Sequence, residues 1–204
     1  VADVAALGNF DQRTGATGAD ATGGSAFINA ADDGDFLVTG GLWIDASAKA
    51  AIGELSAGTA RGGVVDLLMD GAGSSFTIQG LFPIAGFPVG PRLRSLYVDA
   101  QAYEPQSGNP LLQTLTGGDT FGGAINLAFT GGSSTIASQS QLVASAGRTN
   151  PASIGAPAPN LFPGDASATG GSINITLADS TPQWGSFDAT LETYAPGGDA
   201  TDGT

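Results

Sequence analysis

The residues of this 204-residue chain best equipped for chemistry are its acids. Asp45 and Asp99 hold equivalent places in two similar segments, Trp43-Ile44-Asp45-Ala46 and Tyr97-Val98-Asp99-Ala100, and Asp188 holds the same place in Ser186-Phe187-Asp188-Ala189. If such segments stack as neighbouring strands, Asp45 and Asp99 stand about 5 Å apart. Glycoside hydrolysis uses two carboxyls at roughly 5 to 9.5 Å, and Arg92, Arg94 and Tyr97 lie close by in sequence. The plainer reading of the same acids is a solvated outer ladder, broken at Val143, and the sequence favours it. A second cluster, Asp32-Asp33-Gly34-Asp35, crowds three acids into one turn. Hard oxygen ligands suit Ca²⁺, so Asp32, Asp33 and Asp35 are the candidate metal ligands, weighed against an ordinary polar turn. The tandem Gly-Gly-x-Gly-x-Asp nonapeptide of calcium-binding β-rolls is absent. Four loop aromatics, Phe82, Phe87, Tyr103 and Phe162, lie near prolines. They either cover a core edge or form a contact surface for a ligand or a neighbouring subunit.

Other chemistries are excluded by composition. The chain has no histidine and no cysteine, which removes Ser/His/Asp and Cys/His nucleophilic sites, Cys/His zinc sites and disulfides. The glycine pairs Gly40-Gly41 and Gly131-Gly132 lack the lysine and the strand-to-helix context of a phosphate loop. Six basic residues against 19 acidic ones give a net charge of −13, which argues against nucleic acid and against docking on anionic lipid. No run of about 20 apolar residues is present to insert in a membrane. Among the acids only Glu54, Glu104 and Glu192 are glutamate, and 33 residues are glycine. Aspartate and glycine suit turns, so short strands between tight corners are expected rather than helices.

Those strands appear as a repeat. Four segments open on a glycine pair, at positions 23, 62, 122 and 170, and continue as alternating strands. Aligned on the glycines, Ala26, Val65, Ile125 and Ile173 form one apolar column. Ile28, Leu67, Leu127 and Ile175 form the next, and Ala30, Met69, Phe129 and Leu177 the third. Phe27, Asp66, Asn126 and Asn174 share an intervening, mostly polar column, where the Asn126 and Asn174 amides can ladder. This period of two implies one buried and one exposed face. A second strand follows at Phe36-Leu37-Val38, Phe76-Thr77-Ile78 and Ser134-Thr135-Ile136, with Pro182 expected to make its fourth copy irregular. A third strand places Ile44, Val98, Leu142 and Phe187 inward, with Ala46, Ala100, Ala144 and Ala189 at the corner after it. The segments 50–61, 101–121 and 147–169 read as long loops leaving one common corner, and 82–91 as an insertion in the second coil.

The segments Ala19-Asp20-Ala21-Thr22-Gly23-Gly24-Ser25 and Ala166-Ser167-Ala168-Thr169-Gly170-Gly171-Ser172-Ile173-Asn174-Ile175 carry a family likeness, as does the closure Asp45-Ala46-Ser47. They resemble repeats of filamentous-haemagglutinin-type adhesins and autotransporter passengers of alphaproteobacteria. That resemblance implies a right-handed β-helical shaft, an extracellular place on the bacterial surface and no shared catalytic residues. The expectation is therefore an all-β chain, a right-handed three-sided parallel β-helix of about four irregular coils, forming one segment over residues 1–204. Both ends, Val1-Ala2-Asp3-Val4 and Ala200-Thr201-Asp202-Gly203-Thr204, resemble repeat interiors. The expected partners are copies of the chain end to end, adjoining coils of a parent chain, or surface glycans. The expected role is a non-enzymatic adhesive shaft or filament subunit, and the alternative is a carbohydrate-active β-helix.

Overall fold

The computed structural model describes residues 2–5, 18–50, 57–84, 92–103, 118–148, 167–191, 193, 200–201 and 203–204. Among these there is no helix, and so none long and apolar enough to cross a membrane. The strands stack in parallel sheets, an arrangement compatible with a parallel β-helix.

One pass of the chain, here called a coil, visits the sheets in a fixed order. The first sheet stacks Ser25–Ala30, Val64–Asp70, Ala124–Thr130 and Ser172–Ala178 in register. The second stacks Asp35–Val38, Ser75–Ile78, Ser133–Ile136 and Thr181–Trp184. The third stacks Ala2–Ala5, Leu42–Asp45, Leu96–Asp99, Ser140–Val143 and Phe187–Thr190. The three apolar columns of the glycine-led strands are the inward columns of the first sheet, as the alternation requires. One apolar cluster draws on all three sheets, with Leu67, Phe76, Leu96 and Leu127 among its buried members.

Volume is balanced across this core. Phe36 stacks on Phe76 at 4.8 Å between ring centres, Phe76 lies 5.1 Å from Phe129, and Phe129 lies 5.5 Å from Trp184. The third coil carries Ser134 where its neighbour carries Phe76, and Phe129 supplies the missing bulk from the first sheet. The buried Ser134 Oγ accepts a hydrogen bond from Trp184 Nε1 at 2.9 Å.

Two short ladders absent from the sequence reading extend each coil. An outgoing ladder joins Ala48–Lys49, Ala102–Tyr103 and Ala146–Arg148. A returning ladder joins Ala21–Thr22, Ala60–Arg61, Thr120–Phe121, Ala168–Thr169 and Ala200–Thr201. A small cluster of Ala21, Ala48, Ala50, Ala60 and Ala102 packs the two together, which only a side chain as short as alanine permits. The expected loops thus begin and end as strands, and each runs from the outgoing ladder to the returning one. The chain re-enters the first sheet through its second glycine. Gly63, Gly123 and Gly171 donate to the carbonyls of Ala46, Ala100 and Ala144, each at 2.8 Å. A Cβ on Gly123 would stand 2.0 Å from the Gly63 carbonyl oxygen, so this corner admits only glycine.

Two details correct the sequence reading. The last third-sheet strand is shifted by two residues, so Phe187 joins the Leu42, Leu96 and Ser140 column while Ala189 pairs with Leu142. A two-residue shift keeps the inward and outward faces unchanged, which is why alternation alone could not detect it. Pro182 does not disturb its strand. Thr181 and Gly185 donate to the preceding coil, so Pro182, of opposite parity, turns its missing donor to the open edge. The corner between first and second sheets uses left-handed backbone at Asp32 and Asp33 (φ 54° and 61°), Gly71, Gly131, Gly132 and Asp179. Aspartate tolerates this region better than most residues.

Candidate functional site

The outer face of the third sheet is the most elaborated surface among the described residues. A hairpin of Phe82–Ile84 paired antiparallel with Arg92–Arg94 folds back over it. Gly41 leaves room for Phe82, since a Cβ there would lie 2.3 Å from the phenyl ring. Phe82 stacks on Trp43 at 5.9 Å, Trp43 meets the edge of Tyr97 at 5.8 Å, and Val143 completes the cluster. Phe82 is 3% exposed and Tyr103 6%. Phe82 covers the sheet through Trp43, and the Tyr103 hydroxyl is turned to Asp99. Phe87 and Phe162 lie outside the described residues.

Asp99 sits beside this cluster and is 4% exposed. Its Oδ1 accepts hydrogen bonds from the Gln101 backbone at 2.9 Å and from Gln101 Nε2 at 3.0 Å. Its Oδ2 accepts from the Tyr103 hydroxyl at 2.5 Å and from the Tyr97 hydroxyl at 3.3 Å. Burial pushes the carboxyl up to about 6, the bonds from Tyr103 and Gln101 pull it down, and Asp45 on the adjoining coil adds to the rise. Burial likewise raises the Tyr103 phenol, which stays a protonated donor. Asp45 is the Cα partner of Asp99, as the repeat requires, and its Oδ1 accepts from Ser47 N at 3.0 Å. Both acids thus close the same turn, taking the backbone N–H two residues on. Asp188 does not join them: it pairs with Gln141 because of the two-residue shift, and Thr190 follows Val143 in the Asp45 column.

Gln101 was not singled out by its sequence, although it stands two residues beyond Asp99 where Ser47 stands beyond Asp45. Gln139 was missed as well. Its Oε1 accepts a hydrogen bond from Arg94 Nη1, which ties the hairpin to the third coil. Arg94 also donates to the Leu93 carbonyl at 3.2 Å and is buried. Below this tie a cleft of about 380 Å³ opens, lined by Leu93, Arg94, Gln139, Ser186, Phe187 and Asp188.

The acid-rich turn is used between coils. Asp33 Oδ1 accepts from Gly73 N at 3.1 Å, and Asp35 Oδ1 accepts from Ser75 Oγ at 2.5 Å, while Asp32 is exposed. Among the described residues no three acids gather closely enough to hold a metal ion. The polar column of the first sheet is an amide ladder. Asn126 Nδ2 donates to Asp66 at 2.7 Å and Asn174 Nδ2 donates to Asn126 at 2.9 Å. No protein-family model, curated protein or solved structure matches the chain.

Proposed function

We propose that the chain is a right-handed, three-sided parallel β-helix that serves as a non-enzymatic structural and adhesive shaft outside a bacterial cell. In this reading it joins end to end with copies of itself or with adjoining coils of a parent chain. One observation carries the reading, the state of the last coil. Ile175 is 41% exposed and Leu177 45%, whereas Leu127 and Phe129, at the same positions one coil earlier, are 1% and 0% exposed. Inward-facing apolar side chains left uncovered at the end of the stack, together with an unpaired strand edge, are suited to another coil. The register supports this, because Thr204 already begins the next coil by accepting from Ile173 N at 2.9 Å and donating to the Gly171 carbonyl at 3.0 Å. A net charge of −13 keeps the flanks of such rods apart while their ends meet. The non-enzymatic part of the reading rests on Asp99, whose two oxygens are held by its own chain. Electron microscopy of the purified chain over a range of concentrations tests the proposal. Filaments of uniform width that lengthen with concentration are expected, and single short particles at every concentration would sink the end-to-end reading.

A further inference from the structure

The cleft under the hairpin is where the stack departs from its own repeat. The hairpin forms the only antiparallel pairing among the described strands, and it emerges between the second and third sheets of one coil alone. A cleft of about 380 Å³ falls in the size range of small-ligand sites.

Its lining combines two kinds of surface. Leu93 is exposed and offers apolar area, while the Phe187 ring turns toward the core and stacks on Trp184 at 5.6 Å between ring centres. The Gln139 amide, the Ser186 hydroxyl and the Asp188 carboxylate are exposed polar groups beside them. Arg94 fixes Gln139 by taking up its carbonyl oxygen, which leaves the amide N–H₂ as the group on offer. An amide donor and a carboxylate acceptor in the lining of one cleft suit the alternating donor and acceptor character of neighbouring sugar hydroxyls. Charge selects further. Asp188 and the net charge of −13 repel an anionic sugar, and the Arg94 guanidinium is engaged within the protein.

We infer that this cleft binds a neutral hexose unit of a surface glycan. The inference names a site for the adhesive role proposed above but does not need end-to-end stacking, because every lining residue belongs to one chain.

Ligand-observed NMR with free glucose, galactose, mannose and glucuronate tests it on the full chain. At least one neutral hexose is expected to bind in the millimolar range and to outcompete glucuronate. Gln139→Ala and Asp188→Ala are each expected to weaken that binding about tenfold, while Asn174→Ala, in the amide ladder of the first sheet, leaves it unchanged. Should either alanine variant fail to fold, Gln139→Glu or Asp188→Asn replaces it, since each keeps the side-chain size and changes the charge and the hydrogen-bonding pattern. Absence of binding by all three hexoses, a preference for glucuronate, or full binding by both cleft variants would overturn the inference. Each of these results is separable from the shaft reading, because filament formation is scored by microscopy without sugar.

Discussion

Asp99 has a residue type and a position that could do chemistry, and in the fold both of its oxygens take hydrogen bonds from its own chain. Its column, its neighbour Asp45 and the nearby Tyr97 were all legible from the repeat. What could not be read was the direction of its hydrogen bonds, because Tyr103 belongs to an outgoing ladder whose strands, of two or three residues, carry too little pattern to detect. The result is a carboxyl whose folded pKa, about 6, lies above its ordinary value of 3.8. A raised pKa means the ionised form is the disfavoured one in the fold. This group's stabilising contribution is therefore complete below about pH 4 and is lost as the pH rises through about 6. From this site alone, the chain is expected to be on the order of 1 kcal/mol more stable at pH 5 than at pH 7.5. Asp99→Asn should remove that increment and flatten the dependence. Denaturant unfolding of both proteins at the two pH values checks it, and equal slopes would contradict the assignment.

Elements were legible wherever alternation ran for several residues. The glycine-led strands, the second-sheet strands and most of the third sheet fell out of period-two patterning, because one face of each must be buried. The last third-sheet strand escaped because Phe187 and Ala189 are both apolar and differ by two positions, so both alignments bury the same face. Pro182 misled for a related reason, since only parity relative to the neighbouring coil tells which edge loses a donor. The glycine corner is the element with least tolerance. In Gly123→Ala the new Cβ would stand 2.0 Å from the Gly63 oxygen and 2.9 Å from the Ala100 oxygen, both backbone atoms. A loss of about 1–3 kcal/mol or more is expected. Ala124→Ser installs the residue found at Ser25 and Ser172 in the same column, and should stay within about 0.5 kcal/mol of the parent protein. Thermal or denaturant melting of the pair separates a corner constraint from general sensitivity of the sheet.

At the scale of the whole molecule, the decisive property is the asymmetry between interior coils and the last one. Parity again assigns the hydrogen bonds. Ser172 donates to the preceding coil and Ile173 to Thr204 of the next, so the Ile175 and Leu177 amides face the open edge. The equivalent Leu127 and Phe129 amides face the last coil and are paired within the first sheet. The second-sheet edge is blunted by Pro182, which leaves the first sheet as the leading surface for assembly. The most direct test is residue-resolved amide hydrogen exchange, measured in dilute solution and again at concentrations where rods would form. The Ile175 and Leu177 amides are expected to exchange rapidly when dilute and to become as protected as Leu127 and Phe129 when concentrated. Rapid exchange at Ile175 and Leu177 under both conditions would contradict end-to-end stacking through this face.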